Sequence, residues 1–174
     1  MKKVFKITLS LFLVFYIILC YGCTYNNISG SNHSTIVVND NLGRKIELDK
    51  PLSRVVVANA YNTDLTELIV ALGCLNTIVG VDQNILWNNE AFHNKFNKDQ
   101  LICNREGIVL NYEKIVELNP QALIISSKGS WFDAQEKLKD FGIKVIVVDT
   151  HDMEKFNNNC TLLGKIFGKE KQAE

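Results

Sequence analysis

Tyr61, Trp87 and Trp131 each stand a few residues past an apolar run, and Arg105 and Lys128 fall in segments of the same kind. Aromatic faces stack on flat or catecholate groups, and a guanidinium meets an anion bidentately. Asn59 and Asn62 flank Tyr61 and belong to the same candidate set. Side chains of these types grip a ligand rather than transform it. Trp131 also fits the apolar face of a helix that begins there, so a ligand-facing and a core reading both stand for it.

The search for reactive groups gives the opposite result. No G-x-G-x-x-G follows the first buried strand and no G-x-x-x-x-G-K-[ST] occurs, so no nucleotide site is implied. G-x-S-x-G is absent, and no serine or cysteine sits in a nucleophile motif. His33, His93 and His151 have no ligand spacing. Cys74, Cys103 and Cys160 are scattered, which suggests buried free thiols rather than a disulfide framework or a zinc site. Neither metal nor cofactor is expected, and the chain does not read as an enzyme. The competing enzymatic reading would place chemistry on Asp149 and His151, just past a strand.

These residues need a scaffold, and the hydrophobic pattern supplies one. "TIVVNDNLGRKIEL" carries two alternating runs around a turn, a hairpin signal that Pro51 closes. "RVVVANA" (54–60), "TIVGVD" (77–82), "ALIISS" (122–127) and "KVIVVD" (144–149) have the continuous apolarity of strands buried on both faces. Helical patterns alternate with them. Leu65, Leu68, Ile69 and Leu72 share one face, with Asp64 and Glu67 at capping-box spacing. Trp131, Ala134, Leu138 and Phe141 mark a second face, and Met153, Phe156, Cys160, Leu163 and Phe167 a third. Residues 83–100 read as loop plus weak helix, and 101–103 as a short strand. The expectation is an α/β fold: a Rossmann-like lobe with a mostly parallel sheet of four or five strands, helices on both faces, and a preceding β-hairpin. Ligands of such sheets sit at the carboxyl ends of the strands, here the loops starting at Asn59, Asp82, Ser126 and Asp149.

Charge and the amino terminus bound the setting. The 174 residues carry zero formal net charge, and no basic footprint for nucleic acid is present. "MKKVFK" followed by the apolar "ITLSLFLVFYIILCY" is too short for a typical membrane span and reads as a secretory signal. Gly22-Cys23 then matches the point where a bacterial lipoprotein is cleaved and acylated, although Cys20 and Tyr21 depart from the usual pattern. Cleaved secretion and an uncleaved anchor are the alternatives. The expected layout is a signal over 1–22, a polar tether over 23–34, a lobe over 35–168, and a short terminal helix start over 169–174.

The run "VVNDNLGRKIELDKPLSRVVVANAYNTDLTELIVALGCLNTIVGVD" resembles the opening of the substrate-binding proteins of iron-siderophore, haem and cobalamin ABC importers, with its D-x-x-G-R hairpin, A-L-G helix end and V-G-V strand. "NYEKIVELNPQALII" is similar to that family's N-[LY]-E-x-I-x-x-L-x-P-D-x-[VI]-I signature, with Gln121 in place of the usual Asp, and "LLGKIFGKEKQAE" resembles the entry to its long connecting helix. The resemblance covers nearly all of residues 35–174. It implies one lobe of a two-lobed helical-backbone binding protein, with iron-siderophore, haem or cobalamin-like cargo, a lipid anchor at Cys23, and an ABC permease as partner. It also implies that Glu113 pairs with arginines of that permease. The family holds cargo between two lobes, and the sequence stops where the connecting helix would run, which reads equally as a truncated, a split or a frameshifted gene, with a separately encoded second lobe as one source of the facing wall. One lobe supplies half the contacts while cargo still gives up its freedom at about 4–15 kcal/mol, which implies weak binding alone. A non-transporting interaction remnant is the remaining alternative.

Overall fold

The computed structural model describes residues 35–59, 63–88, 90–103 and 109–174, without the side chains of residues 87 and 88. The signal and tether segments, and with them Cys23, lie outside the described residues, as do Tyr61, Asn62 and Arg105.

Period-two alternation in the amino-terminal run produces the expected hairpin. Strands β1 (Ile36–Asn39) and β2 (Lys45–Leu48) pair antiparallel, with Ile36 opposite Leu48 and Asn39 opposite Lys45. The turn needs a left-handed residue, and Gly43 supplies it at φ 74°. Four buried runs then form a second, wholly parallel sheet: β3 (Val55–Ala58), β4 (Ile78–Val81), β5 (Ala122–Ile125) and β6 (Lys144–Val147), in the order β4-β3-β5-β6.

Between the strands run α1 (Asp64–Ala71), α2 (Asn84–Asn88), α3 (Tyr112–Glu117) and α4 (Trp131–Leu138). After β6 come α5 (Phe156–Phe167) and the short α6 (Glu170–Ala173). Alternate residues of each strand point to opposite faces. Val55, Val57, Ile124 and Ile146 face α1, α5 and the hairpin, meeting Leu65, Ile69, Leu163, Ile166, Val38 and Leu48. Val56, Leu123, Val145 and Val147 face α3 and α4, meeting Ile115, Ala134 and Leu138. Both faces are therefore covered, as the uninterrupted apolarity of the strands requires. On the α3 side the fit is close: a Cβ on Gly80 would stand 2.6 Å from Leu118 Cδ1 and 2.9 Å from Ile102 Cγ2.

Four details differ from the sequence expectation. Residues 101–103 form no strand; Leu101 and Cys103 make single bridges to Val81 and Leu110. Helix α1 starts at Asp64, and the cap pairing shifts one residue back, where the Thr63 hydroxyl donates to Glu67. Phe141 is exposed because α4 gives way to a 3₁₀ turn, Lys139–Phe141, which swings it off the helical face. Met153 lies in a 3₁₀ turn ahead of α5 and is exposed, while the buried face of α5 is carried by Asn159, Leu162, Leu163, Ile166 and Phe167.

The hairpin turn seals the outer edge of β6. The Asp40 carboxylate, fully buried, accepts from the backbone N–H of Leu42 (3.0 Å), Arg44 (3.0 Å) and Val147 (3.2 Å). It also pairs with the Arg44 guanidinium through Nε at 2.9 Å and Nη2 at 2.5 Å. Asn41 N–H donates to Val147 O at 3.0 Å, and Arg44 Nη2 to Val145 O at 3.1 Å. Asp40→Ala should lower unfolding stability in urea by about 3 kcal/mol, since it strands a cation and three amides that lose their acceptor. Lys45→Ala, which removes only the exposed pair with Glu47, should change stability by less than about 1 kcal/mol.

Candidate functional site

The four parallel strands end together at Asn59, Asp82, Ser126 and Val148–Asp149, and the side chains there form two hydrogen-bonded groups. In the first, Asn59 is 1% exposed. Its Oδ1 accepts from the Thr66 N–H at 3.0 Å, which satisfies an amide in the first turn of α1 that Thr63 leaves open. Its Nδ2 donates to Thr66 Oγ1 at 2.9 Å and Asp82 Oδ2 at 3.2 Å, and its backbone N–H donates to the same carboxylate. Asp82 also accepts from the Asn84 N–H at 2.9 Å at the start of α2. Burial raises the Asp82 carboxyl above its ordinary range, against the pull of these donors. Asn59 therefore ties the ends of β3 and β4 to α1 and α2; its side chain is spent inside the wall and does not project toward a ligand.

The second group centres on Asp149. Its Oδ2 accepts from Ser127 Oγ at 2.8 Å and its Oδ1 from the His151 N–H at 3.4 Å. Its carbonyl accepts from Asn159 Nδ2 at 2.7 Å, and its N–H donates to Asn41 Oδ1. Ser127 reaches the carboxylate directly, with no imidazole interposed, so these residues do not form the nucleophile–imidazole–carboxylate chain of a hydrolase. Among the described residues no three His, Cys, Asp or Glu side chains gather as a metal site would require.

Of the ligand-reading residues, Lys128 is exposed on the turn after β5, where its N–H meets Ser126 Oγ at 3.4 Å. Trp87 lies on α2. Trp131 opens α4 half-buried, with the Arg44 guanidinium 5.1 Å from its ring centroid and Phe132 edge-on at 5.8 Å. Its ring packs against the core under α4, so the core reading describes most of its surface.

Sequence reading missed the apolar side chains at this rim. Leu42, Phe132, Met153 and Phe156 are all exposed and all follow carboxyl ends of strands or, for Leu42, sit in the turn fastened to Val147. Met153 and Phe156 had the spacing of a helical core stripe, which concealed them. On the flank, Asn111 Oδ1 caps α3 by accepting from the Lys114 N–H at 2.9 Å. Glu113 sits exposed in that first turn, while Lys114 pairs with Glu117 at 3.0 Å.

The described residues thus form a parallel sheet covered on both faces, with buried polar groups and exposed apolar side chains where its strands end. A family profile described as periplasmic binding protein matches residues 58–174, and the chain belongs to that family. Its members bind substrates outside the cytoplasm and are not enzymes. Solved structures agree on the fold. The heme binding protein HmuT is 18% identical with a TM-score of 0.65, over 80% of this chain and 43% of that one. The petrobactin-binding protein YclQ from Bacillus subtilis is 22% identical with a TM-score of 0.60, over 80% and 47%. The TroA-like periplasmic binding protein FepB from Veillonella parvula is 26% identical with a TM-score of 0.58, over 79% and 44%. This chain thus spans less than half the length of each, and its fold is one lobe of their two-lobed, helical-backbone architecture. No curated protein matches. Among the described residues no helix is long and apolar enough to cross a membrane.

Cys103, beside this rim, carries a thiol pushed up to about 11, first by burial and then by the nearby Asp82 carboxylate. At pH 8 only about one part in a thousand is thiolate. Iodoacetamide labelling followed by peptide mass spectrometry should therefore find Cys103 slow in the folded chain, and Asp82→Asn should speed it.

Proposed function

We propose that this chain is the extracytoplasmic cargo-binding lobe of an ABC importer for iron held in an organic ligand, a ferric siderophore or haem, with cobalamin as the related third class. The observation that carries this is the common rim: four parallel strands ending together, with exposed apolar side chains around them and family membership over 58–174. HmuT and YclQ, named for binding heme and petrobactin, support an iron-carrying cargo. The cargo is held between this rim and a second lobe, as the two-lobed neighbours suggest. Lys128 and Trp87, together with Tyr61, Asn62 and Arg105, provide the first contacts.

Residues 1–22 act as a lipoprotein signal, Cys23 carries the lipid, 23–34 tether the lobe over 35–168, and 169–174 begin the connecting helix. Glu113 docks on the permease. An Asn111-capped first turn holds its carboxylate out toward solvent, and the helix dipole, worth about 0.3–1 kcal/mol there, does not require that a partner be absent.

In cells that depend on this importer, Glu113→Lys should abolish cargo uptake while cargo affinity of the purified protein stays unchanged. Normal uptake by that variant removes Glu113 from the docking surface. Labelled palmitate should be incorporated into the wild-type chain and not into Cys23→Ala; equal labelling would put the anchor elsewhere.

A further inference from the structure

One outward amide of β6 lies outside the hairpin's seal. Along a parallel ladder alternate residues bond to opposite sides, and the Lys144 and Val148 N–H groups go to Gln121 O and Ile125 O on the β5 side. The Val145 and Val147 amides therefore point away from β5. Asp40 takes the Val147 N–H at 3.2 Å, whereas the Val145 N–H meets no acceptor among the described residues. Val145 is only 6% exposed, and amides buried to that degree almost always have a partner. Its outward side opens on a notch of about 290 Å³ between β2, the end of α4 and the start of β6. Arg44, Lys45, Lys139 and Lys144 line this notch together with Gln135 and Val145.

The charges there do not cancel. Asp40 holds the Arg44 guanidinium, and Glu47, among the described residues the one carboxylate in the lining, pairs with Lys45 at 2.6 Å. Lys45 first, and Lys144 at longer reach, hold the Glu47 carboxyl below its ordinary range. Lys139 and Lys144 are exposed and form no ion pair among the described residues. The carboxyl end of α4 subtracts roughly half a unit of charge, less than these two lysines supply. Gln135 Oε1 accepts from Arg44 Nη1, which leaves its amide NH₂ to donate. We propose that the notch binds a phosphate group, as free phosphate or as a phospholipid headgroup, on the Val145 N–H with Lys139 and Lys144 supplying the charge. A carboxylate is matched best by an arginine fork, and the fork here is spent on Asp40. Lysine ammonium groups are point charges, which suit a tetrahedral dianion met from several sides. The notch stands at the start of β6 and the rim at its carboxyl end, so this site is separate from the rim and does not depend on the importer reading.

The test uses the full chain in nonionic maltoside micelles, isotope-labelled at valine and read by amide NMR at constant ionic strength. Inorganic phosphate should move the Val145 signal saturably, and acetate should bind more weakly. Mixed micelles carrying phosphatidic acid, without free phosphate, form the second arm. A response to inorganic phosphate identifies a soluble ligand, a response to phosphatidic acid alone identifies a headgroup, and either supports the phosphate site. Lys139→Gln/Lys144→Gln should weaken binding roughly three- to tenfold, as two exposed ion pairs allow. Glu47→Gln should tighten it roughly twofold, an opposite effect that covers the case of a poorly folded double variant. Lys155→Gln, outside the notch, should leave it unchanged. No saturable Val145 shift in either arm, acetate equal to phosphate, an affinity that survives in a folded double-lysine variant, no tightening in Glu47→Gln, or an equal loss in Lys155→Gln overturns the proposal.

Discussion

A carboxylate buried at the root of the hairpin turn governs how this lobe closes. A parallel sheet ends in strands whose outward amides and carbonyls need partners or water. Here the exposed side of β6 is met by Asp40, Asn41 and Arg44, with one carboxylate serving the turn, the guanidinium and the Val147 amide together. A lone buried charge would be expensive; five donors and an opposite charge make it stable. The D-x-x-G-R sequence thus has a mechanical meaning. Asp accepts, Gly turns, and Arg reaches both the Asp and the Val145 carbonyl.

The same logic separates strands packed on both faces from the polar groups at their carboxyl ends. Strand residues alternate between two apolar cores, so substitutions there meet neighbours on either face. The carboxyl ends hold polar groups that mostly satisfy each other: Asn59 with Asp82 and Thr66, and Asp149 with Ser127 and Asn159. The exposed apolar side chains Phe132, Met153 and Phe156 lie one layer out, on the segments that follow the strands.

Much of this was legible from residue order. The hairpin and the four buried strands followed from period-two alternation and β-branched runs, each a local property. Misreadings arose where a local pattern had more than one tertiary outcome. Met153 and Phe156 keep helical spacing with Leu163 and Phe167, yet only the later pair meets the sheet, because the connection enters α5 at the rim. Asn59 was read as a ligand contact from its position past a strand. The need it answers, an uncapped first turn in α1, becomes visible only when Thr66 is brought beside it. Leu101–Cys103 have strand composition but a single partner on each side, so no ladder grows.

The placement of Trp131 has a consequence for observing this lobe. Its indole lies under the guanidinium that also clamps the hairpin to β6, so the ring's electronic surroundings change if the amino-terminal strands peel away. With Trp87 replaced by phenylalanine, ultraviolet emission from this indole reports whether the hairpin is attached.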